Sequence, residues 1–438
     1  MNNPRSSKKI RTEAANVTSP PVSFGFETRE GEEKLNMLRI KASIFFSVFV
    51  AMLSLMLISP IMPPLIRELG LTESHSGWII SLGSVSMAIM APVWGRWSDT
   101  RGRKPIILAG FIGMGASCLL FALTLYSGLS GWIGGGLLVA LLIVTRSMIG
   151  LFIPAVLSSA QAYMGDVTEG RERTAGMALI SAANGMGLVF GPAIAGAFTG
   201  IGLLWPLYFG TALSFAAFAA ALLLIPPAKP IVREKPPKVN PFRSGLRVYL
   251  LAGFATMTAI IGIQVVGGFY FQDMLHLSGQ ETARMLSVGL MLAGIAMLLV
   301  QVAQVNWMKL QPKAMMLAGS LFILLGMLVF LYSGSTAFYY FAFFLFGIGA
   351  GLSMPGFMAA ASLSVSKEQQ GGVAGLVASV QGVTAIVTPI VATTLYQAGR
   401  SLPFWLIIAL TAAVAPVLLS VKGKASAKSA AEERLSRS

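Results

Sequence analysis

The stretch GRWSDTRGRKP, residues Gly95 to Pro105, lies between two long apolar runs at about 77–97 and 105–127. Each run has close to the roughly 20 residues that an α-helix needs to cross a bilayer. The stretch between them carries four of the 32 Lys and Arg residues of the chain. A short basic connection between two such runs indicates a pair of transmembrane helices whose loop faces the cytoplasm.

Apolar runs of this kind recur along the whole chain, from Ala42 to Val421. The chain is 55% hydrophobic and 11% charged, whereas soluble domains carry roughly a quarter charged residues. Apolar and polar residues alternate too weakly within the runs for strands of a transmembrane β-barrel. Helices are then the remaining structure that satisfies the backbone hydrogen bonds inside the bilayer. The pattern predicts an all-α membrane protein with twelve spans, at 42–66, 77–97, 105–127, 134–163, 174–200, 204–225, 247–272, 283–306, 313–333, 337–365, 371–398 and 402–421.

The distribution of basic residues predicts the orientation of these spans. When Lys and Arg are counted by alternate connections, 28 lie on one side together with both termini, and three lie on the other side, namely Arg67, Arg284 and Arg400. The positive-inside rule places the basic side, with both termini, in the cytoplasm. We therefore expect a multi-pass protein of the inner (cytoplasmic) membrane, and the net charge of +15 does not indicate a nucleic-acid partner.

The longest internal hydrophilic stretch divides the chain into two parts of six spans. The pattern predicts a disordered cytoplasmic tail at 1–36, a six-helix bundle at 37–225, a cytoplasmic linker at 226–246, a second bundle at 247–421 and a tail at 422–438. The parts also resemble each other: GLFIP at 150–154 returns as GLSMP at 351–355, and Pro192 has a counterpart in Pro389. Such repeats are typical of alternating-access transporters.

Residues 95–105 resemble the signature loop of the major facilitator superfamily, G-x-x-x-D-x-x-G-R-K. The matching positions are Gly95, Asp99, Gly102, Arg103 and Lys104. The resemblance implies two pseudo-symmetric six-helix bundles that expose a central site to each side in turn. We expect Gly102 to allow a tight turn and Asp99 to cap the N-terminus of a facing helix. Arg103 is then expected to reach Asp166 in a charge latch that holds the cytoplasmic side shut.

Arg146-Ser-Met-Ile-Gly150 in the fourth predicted span is similar to the R-x-x-Q-G pattern of the drug-proton antiporters, with Ile149 in place of Gln. In that branch the arginine is implicated in proton coupling. A cation in mid-membrane is expensive and by default functional, so Arg146 and Gly150 are candidates for substrate or proton coupling. The alternative is an arginine that binds backbone carbonyls and only locks helices together.

Gly187-Leu-Val-Phe-Gly191-Pro192-Ala-Ile-Ala195-Gly196 in the fifth span resembles the G-x-x-x-G-P-x-x-G-G motif of the exporting branch, with Ala195 in place of Gly. Gly187 and Gly191 share a helix face, where they allow close approach of a neighbour, and Pro192 kinks the helix. The motif favours export, although a packing motif without bearing on direction is the alternative.

The predicted spans lack an acidic residue at depth. All seventeen Asp and Glu residues fall in tails, loops or helix ends, and the nearest to the interior are Glu68 and Asp273. Arg146 is then the one formal charge at depth, which favours an acidic or zwitterionic substrate over a lipophilic cation. Coupling would run through Asp273, Glu68 or a carboxylate of the substrate that itself carries the proton.

Other polar or aromatic side chains at depth are candidates for the cavity wall, and each has core packing or interhelical hydrogen bonding as its alternative. These are Asn184, Gln264, Tyr270, Gln301, Phe357 and Gln381.

Together these patterns predict a monomeric, proton-coupled secondary transporter that exports a small amphiphilic molecule, such as a drug, a toxic metabolite or a siderophore-like anion. A flippase for a lipid-linked molecule or an importer of the same superfamily is the alternative. The sequence carries no metal cluster, phosphate loop or nucleophile with a base, and no soluble effector domain. An enzyme or a sensor is therefore disfavoured, and no cofactor is expected.

Overall fold

The computed structural model describes residues 24–227, 246–332, 334–366 and 369–420. These residues form thirteen α-helices and contain no strand. The helices are α1 (Phe24–Met56), α2 (Met62–Glu68), α3 (Glu73–Arg101), α4 (Arg103–Leu129), α5 (Gly135–Val167), α6 (Gly170–Phe198), α7 (Trp205–Leu224), α8 (Leu246–Leu275), α9 (Gly279–Ala303), α10 (Pro312–Tyr332), α11 (Thr336–Leu363), α12 (Gln370–Ala398) and α13 (Leu402–Leu419). All except α2 are long and apolar enough to cross a membrane, so the predicted twelve spans are confirmed.

Two predicted boundaries are wrong at the start of the chain. The first span does not run straight to residue 66, because the helix ends at Met56 and α2 begins anew at Met62 with prolines in its first turn. Proline fits a first helical turn but interrupts a helix interior. In addition, residues 24–36 of the predicted tail belong to α1. Residues 1–23, most of the predicted linker (228–245) and the predicted C-terminal tail lie outside the described residues.

Helices α1–α7 form the first half of the protein and α8–α13 form the second. The halves meet along two helix pairs, α3 with α12 and α6 with α9, and α2 lies against α8 and α9. The two ends of the bundle are called the Arg67 end and the Arg103 end, after an arginine at each.

The α3–α12 pair is in contact at the Arg67 end only. A Cβ on Gly77 of α3 would lie 2.8 Å from the carbonyl oxygen of Pro389 and would overlap Thr393. Gly95 and Gly375 lie about five turns from Gly77 and Thr393, on the same helix faces. A Cβ on either glycine would meet nothing within 4 Å outside its own helix. The two helices therefore diverge toward the Arg103 end, and the protein is closed at the Arg67 end.

Candidate substrate cavity and gates

A cavity of about 150 Å³ lies between the halves at the point where they converge. Its wall comes from α1 to α3 and α5 of the first half and from α8 and α12 of the second. The lining residues are Leu55, Met56, Ile58, Ser59, Met62, Pro63, Ser76, Ile80, Gly83, Ser84, Met87, Arg146, Gly150, Ile153, Ile261, Gln264, Val265 and Ala385. A site shared by both halves near the bundle centre is the arrangement that alternating access requires.

Arg146 supplies the charge in this wall. Its side chain is 8% exposed, and its Nε has no hydrogen-bond partner among the described residues. Gly83 makes room for it, since a Cβ on Gly83 would lie 3.1 Å from the Arg146 Nη1. Gly150 allows α5 to approach α3 closely, since its Cβ would lie 3.0 Å from the carbonyl carbon of Gly83. Within the described part of the chain, the cavity wall contains no carboxylate. The cation thus faces the space between the halves without an acidic partner in that wall.

Of the six side chains predicted to line a cavity, Gln264 lies in this wall. The other five do not, and for them the prediction is wrong for this cavity. Tyr270 and Phe357 are buried in the second half, where Tyr270 packs on Phe330 and Phe404, and Phe357 packs on Gly253. The remaining three, Asn184, Gln301 and Gln381, are partly buried elsewhere on α6, α9 and α12. Amphipathic spacing gives a face of a helix but not its neighbour, which explains the misplacement.

The Arg67 end is closed by an ionic cluster around Asp273, which we call the Asp273 latch. Arg67 of α2 donates hydrogen bonds of 2.7 and 2.9 Å to the two carboxylate oxygens of Asp273 on α8. The hydroxyl of Tyr396 donates to Asp273 at 2.7 Å, and Arg400 Nε lies 3.4 Å away. Arg67 also donates to Glu73 at 2.8 Å. The latch joins the first half to the second, so the end cannot open while it is intact.

Two titratable groups of α2 respond to this closure. Burial lowers the pKa of Arg67, but its hydrogen bonds to Asp273 and Glu73 outweigh burial and raise the pKa above the ordinary arginine value. Burial of the Glu68 carboxylate raises the pKa of Glu68. That carboxylate lies against Gly279 at the start of α9, in the other half. Neither Glu68 nor Asp273 lines the cavity that contains Arg146.

The Arg103 end carries a second cluster, which lies entirely in the first half. Arg103 is 2% exposed and donates to Asp166 at 2.8 Å and to Ser98 at 3.0 Å. The predicted approach of Arg103 to Asp166 is present in the geometry. Asp99, however, does not cap a facing helix, and it pairs instead with Arg103, the first residue of α4. The halves are separated at this end, so a facing helix is not close to Asp99 in this conformation.

The turn between α3 and α4 has the geometry that the loop pattern requires. Gly102 has φ +94°, a conformation that residues with a Cβ rarely adopt. Lys104 Nζ donates to the Leu222 carbonyl at 2.8 Å, which satisfies a free acceptor near the C-terminus of α7.

The glycines of α6 divide between two partners. Gly187 and Gly191 pack on α1, where a Cβ on Gly187 would lie 2.5 Å from Met52 Cβ and one on Gly191 would lie 3.1 Å from the Leu53 carbonyl oxygen. Gly196, about one turn after Pro192, packs on α9 of the other half, where its Cβ would lie 2.6 Å from Ser287 Cβ. The motif therefore serves both the packing of the first half and the contact between halves.

Several residues of the site were missed by sequence reasoning. Ser76, Ile80, Gly83, Ser84 and Met87 of α3 line the cavity at helical spacing, and that periodic face of small and polar residues was the available signal. Arg67 and Tyr396 of the Asp273 latch had no such signal, because they are far apart in sequence and are joined only by the fold.

The family of the chain follows from its similarity to known proteins. A family model described as Major Facilitator Superfamily matches residues 44–311 and 304–438. The chain belongs to the major facilitator superfamily. The family predicted from the Gly95–Pro105 loop is thereby confirmed. This family and its fold are those of transporters and not of enzymes.

This superfamily member has curated relatives among drug-resistance proteins. It is 24% identical over 389 residues to quinolone resistance protein NorA of Staphylococcus aureus, covering 86% of this chain and 95% of NorA. It is 27% identical over 369 residues to the class C tetracycline resistance protein of Escherichia coli, covering 79% and 86%. With multidrug resistance protein 2 of Bacillus subtilis it shares 29% over 179 residues, 41% and 42% of the two chains. It spans about half the length of the two B. subtilis relatives it matches.

Solved structures show the same architecture. The nucleoside transporter NupG aligns with a TM-score of 0.68 at 12% identity, and the human organic anion transporter TETRAN with 0.62 at 18% identity. Each alignment covers 87% of this chain and 99% of the other. At such identities the likeness shows the fold alone.

Proposed function

We propose that this transporter exports a small amphiphilic molecule, such as a drug, a toxic metabolite or a siderophore-like anion, in exchange for protons. It acts as a monomer in the inner membrane. Both of its termini are in the cytoplasm, because the basic connections between spans lie at the Arg103 end. The observation that carries the proposal is Arg146, a buried guanidinium in the wall of a cavity shared by both halves, where the described lining residues include no carboxylate.

The charge of the wall favours a substrate with a negative group. A buried cation needs a partner, since an uncompensated charge in a low-dielectric site is strongly unfavourable. An anionic or zwitterionic substrate supplies that partner when it binds beside Arg146. The apolar residues around it, such as Met56, Met87 and Ile261, suit the rest of an amphiphile.

The two clusters account for alternating access. In the present conformation the Asp273 latch closes the Arg67 end, and the Arg103 end is open toward the cytoplasm, so a substrate would enter from inside. In the opposite conformation the Arg103 end closes. Asp99 then leaves Arg103 for the N-terminus of a facing helix, where a carboxylate is stabilised by the free N–H groups and the helix dipole.

Proton coupling runs through Glu68, Asp273 or a carboxylate of the substrate. Glu68 and Asp273 both lie at contacts between the halves, so protonation of either changes the free-energy difference between the two conformations. The relatives named for drug resistance support export, and the relative named for quinolone resistance makes a zwitterionic quinolone a suitable probe.

Uptake into inside-out vesicles tests the proposal. With a proton gradient imposed, we expect vesicles that contain the wild-type chain to accumulate the zwitterion norfloxacin and to take up the cation ethidium poorly. Arg146→Gln removes the charge and should lower norfloxacin uptake at least tenfold, whereas Arg146→Lys keeps it and should retain part of the activity.

Matched variants separate the parts of the proposal. Thr145→Val, one residue from Arg146 and outside the cavity wall, should leave uptake unchanged. Good transport of ethidium together with none of norfloxacin would refute an anionic or zwitterionic substrate. Uptake of norfloxacin that needs no proton gradient would refute proton coupling. Loss of the pH dependence of uptake in Asp273→Asn or in Glu68→Gln would identify the substituted residue as the coupling residue. Accumulation only in right-side-out vesicles would favour an importer.

A further inference from the structure

A second cavity, of about 570 Å³, lies between α6 and α9 at the Arg67 end. We call it the α6–α9 groove. Its apolar part contains Ala193 and Ala197 of α6 and Met291 of α9. Its polar side chains are Thr199, Gln280, Glu281, Arg284 and Ser287. None of these residues lines the cavity of Arg146, so the groove is a separate site.

The contacts of α9 show that the groove faces the bilayer. Ser287 and Gly294 face α6, where they meet Gly196 and Val189, while Gly289 faces α11 and meets Phe343. Leu286 faces α8, on the inner side of the bundle. The remaining face, opposite Leu286, carries the exposed residues Arg284, Ile295 and Leu299. Residues three and four apart lie on one helix face, so these side chains form one stripe toward the lipid.

Arg284 shares this groove with the carboxylate of Glu281 but makes no ion pair with it. Arg67 and Arg400, the other arginines at this end, are held by Asp273. Arg284 makes no ion pair with any residue in the described part of the chain. The nearby Glu281 lies one turn earlier, and its carboxylate is engaged by the backbone and hydroxyl of Ser278 in a capping box.

Ser287 is a polar group that needs a partner. It is 1% exposed, and its Oγ has no hydrogen-bond partner among the described residues. Thr199, which also lines the groove, uses its hydroxyl on the Gly196 carbonyl and does not satisfy Ser287. Buried polar groups are normally hydrogen-bonded, so the unpaired hydroxyl of Ser287 indicates a hydrogen-bond partner from outside the chain.

We propose that the α6–α9 groove binds one phospholipid of the adjacent leaflet. The phosphate lies on Arg284, at the level of the membrane boundary. Ser287 lies one turn deeper, about 5 Å along the helix axis, and donates its hydroxyl to an ester carbonyl at the top of an acyl chain. The chain then runs along Ile295 and Leu299. The order of charge, hydroxyl and apolar stripe along α9 matches the order of phosphate, ester and chain in a phospholipid.

Native mass spectrometry of the purified full-length chain in detergent tests this site, and the result does not depend on transport. With phosphatidylglycerol as the probe, we expect one lipid to remain bound. Arg284→Gln should weaken binding about tenfold or more, because it removes a charge-assisted contact to phosphate. Lys309→Gln removes an exposed charge beyond the other end of α9 and should have no effect.

The ester contact gives a sharper comparison. Ser287→Ala should weaken binding of diester phosphatidylglycerol but leave the diether analogue unaffected, because the diether has no carbonyl to accept the hydroxyl. Ala197→Phe should fill the groove and block both lipids while Arg284 stays in place.

Three outcomes would overturn the proposal. They are equal lipid loss in Arg284→Gln and Lys309→Gln, equal effects of Ser287→Ala on diester and diether lipid, and displacement of the lipid by inorganic phosphate at a similar concentration. The last would assign the site to a free anion. Equal melting temperatures of the variants in detergent establish that each is folded.

Discussion

Arg67 on the short helix α2 of the first half and Asp273 on α8 of the second half share two hydrogen bonds, of 2.7 and 2.9 Å. The two residues are far apart in sequence, and the bidentate pair directly joins the halves at this end. A two-point guanidinium–carboxylate contact has a defined geometry and resists sliding as well as separation. Opening of this end of the transporter therefore requires this pair to break.

Arg67→Gln should shift the protein toward the conformation that is open at the Arg67 end. The variant loses the charge-assisted contact to Asp273 and leaves that carboxylate to Tyr396 and Arg400. The measurement is the labelling rate of a cysteine introduced at Ser76, in the cavity wall, by a membrane-impermeant maleimide added at that end, with Cys118 replaced by Ser. We expect an increase on the order of tenfold.

Arg284→Gln is the matched control for that experiment. It removes an arginine at the same end that has no contact with the Asp273 latch, so the labelling rate should not change. An equal rise in both variants would mean that surface charge, and not the Arg67 to Asp273 pair, keeps this end closed.

Acidification should favour the closed Arg67 end through Glu68. Burial of the Glu68 carboxylate, which lies against Gly279, raises its pKa in the closed conformation. After opening, the carboxylate is solvated and its pKa returns toward the ordinary glutamate value. Because the closed state binds the proton more tightly, it gains stability as pH falls through the raised pKa and loses that gain above it. Labelling at Ser76→Cys should fall as the pH is lowered through the raised pKa of Glu68, and Glu68→Gln should remove the Glu68 contribution. An unchanged pH profile in Glu68→Gln would exclude this residue as the sensor.

The sequence predicted the spans well, because they depend on local features. The approach of Arg103 to Asp166, 63 residues away, was expected from the family resemblance and not from local spacing. Apolar length marks the helices, and Asp99, Gly102 and Arg103 lie within one turn and one loop. The positive φ of Gly102 follows from its place in that turn, whereas the expected contact of Asp99 with a facing helix does not occur, since Asp99 pairs with Arg103.

The Asp273 latch and the cavity wall could not be predicted in the same way. Arg67 meets Asp273 only after the two halves pack together, and Tyr396 meets it only after α12 packs on α8 within the second half. No local spacing encodes either contact. Phe357 and Tyr270 have the composition expected of a cavity, yet their helix faces point into the core of the second half. Periodicity defines a face but does not identify the neighbour that covers it.

Gly187→Ala should destabilise the first half, whereas Gly185→Ala should not. A Cβ at position 187 would lie 2.5 Å from Met52 Cβ and 3.0 Å from the Leu53 nitrogen, which is backbone and cannot rotate away. Overpacking costs up to about 3 kcal/mol, which exceeds the gain of roughly 1 kcal/mol for Ala over Gly in a helix. At position 185 the nearest atom is the end of the Leu298 side chain, 3.3 Å away.

Thermal unfolding of the purified variants in detergent measures the difference. Both substitutions are in α6 and both add the same methyl group, so helix propensity cancels between them. Similar melting temperatures for the two variants would contradict the close approach of α1 and α6 at Gly187.

Asp166→Asn should be more harmful to stability than the joint replacement of Asp166 and Arg103 by apolar residues. Arg103 and Asp166 are 2% and 3% exposed, and removal of one partner leaves a buried guanidinium with a weaker acceptor. Such a change costs about 3 to 5 kcal/mol, whereas an apolar pair of similar volume is often neutral. The double variant Arg103→Met with Asp166→Leu should therefore recover much of the melting temperature that Asp166→Asn loses.

Transport should not recover in that double variant, because Asp99 then has no Arg103 to hold it while the Arg103 end is open. The double variant would then regain its melting temperature but not its transport activity. A purely structural role for Arg103 predicts that both return together. Lys41→Gln is the control, since its pair with Glu172 is exposed at the surface and contributes little. If the double variant regains both melting temperature and norfloxacin uptake, the buried pair serves packing alone, and the gating role assigned to Arg103 is wrong.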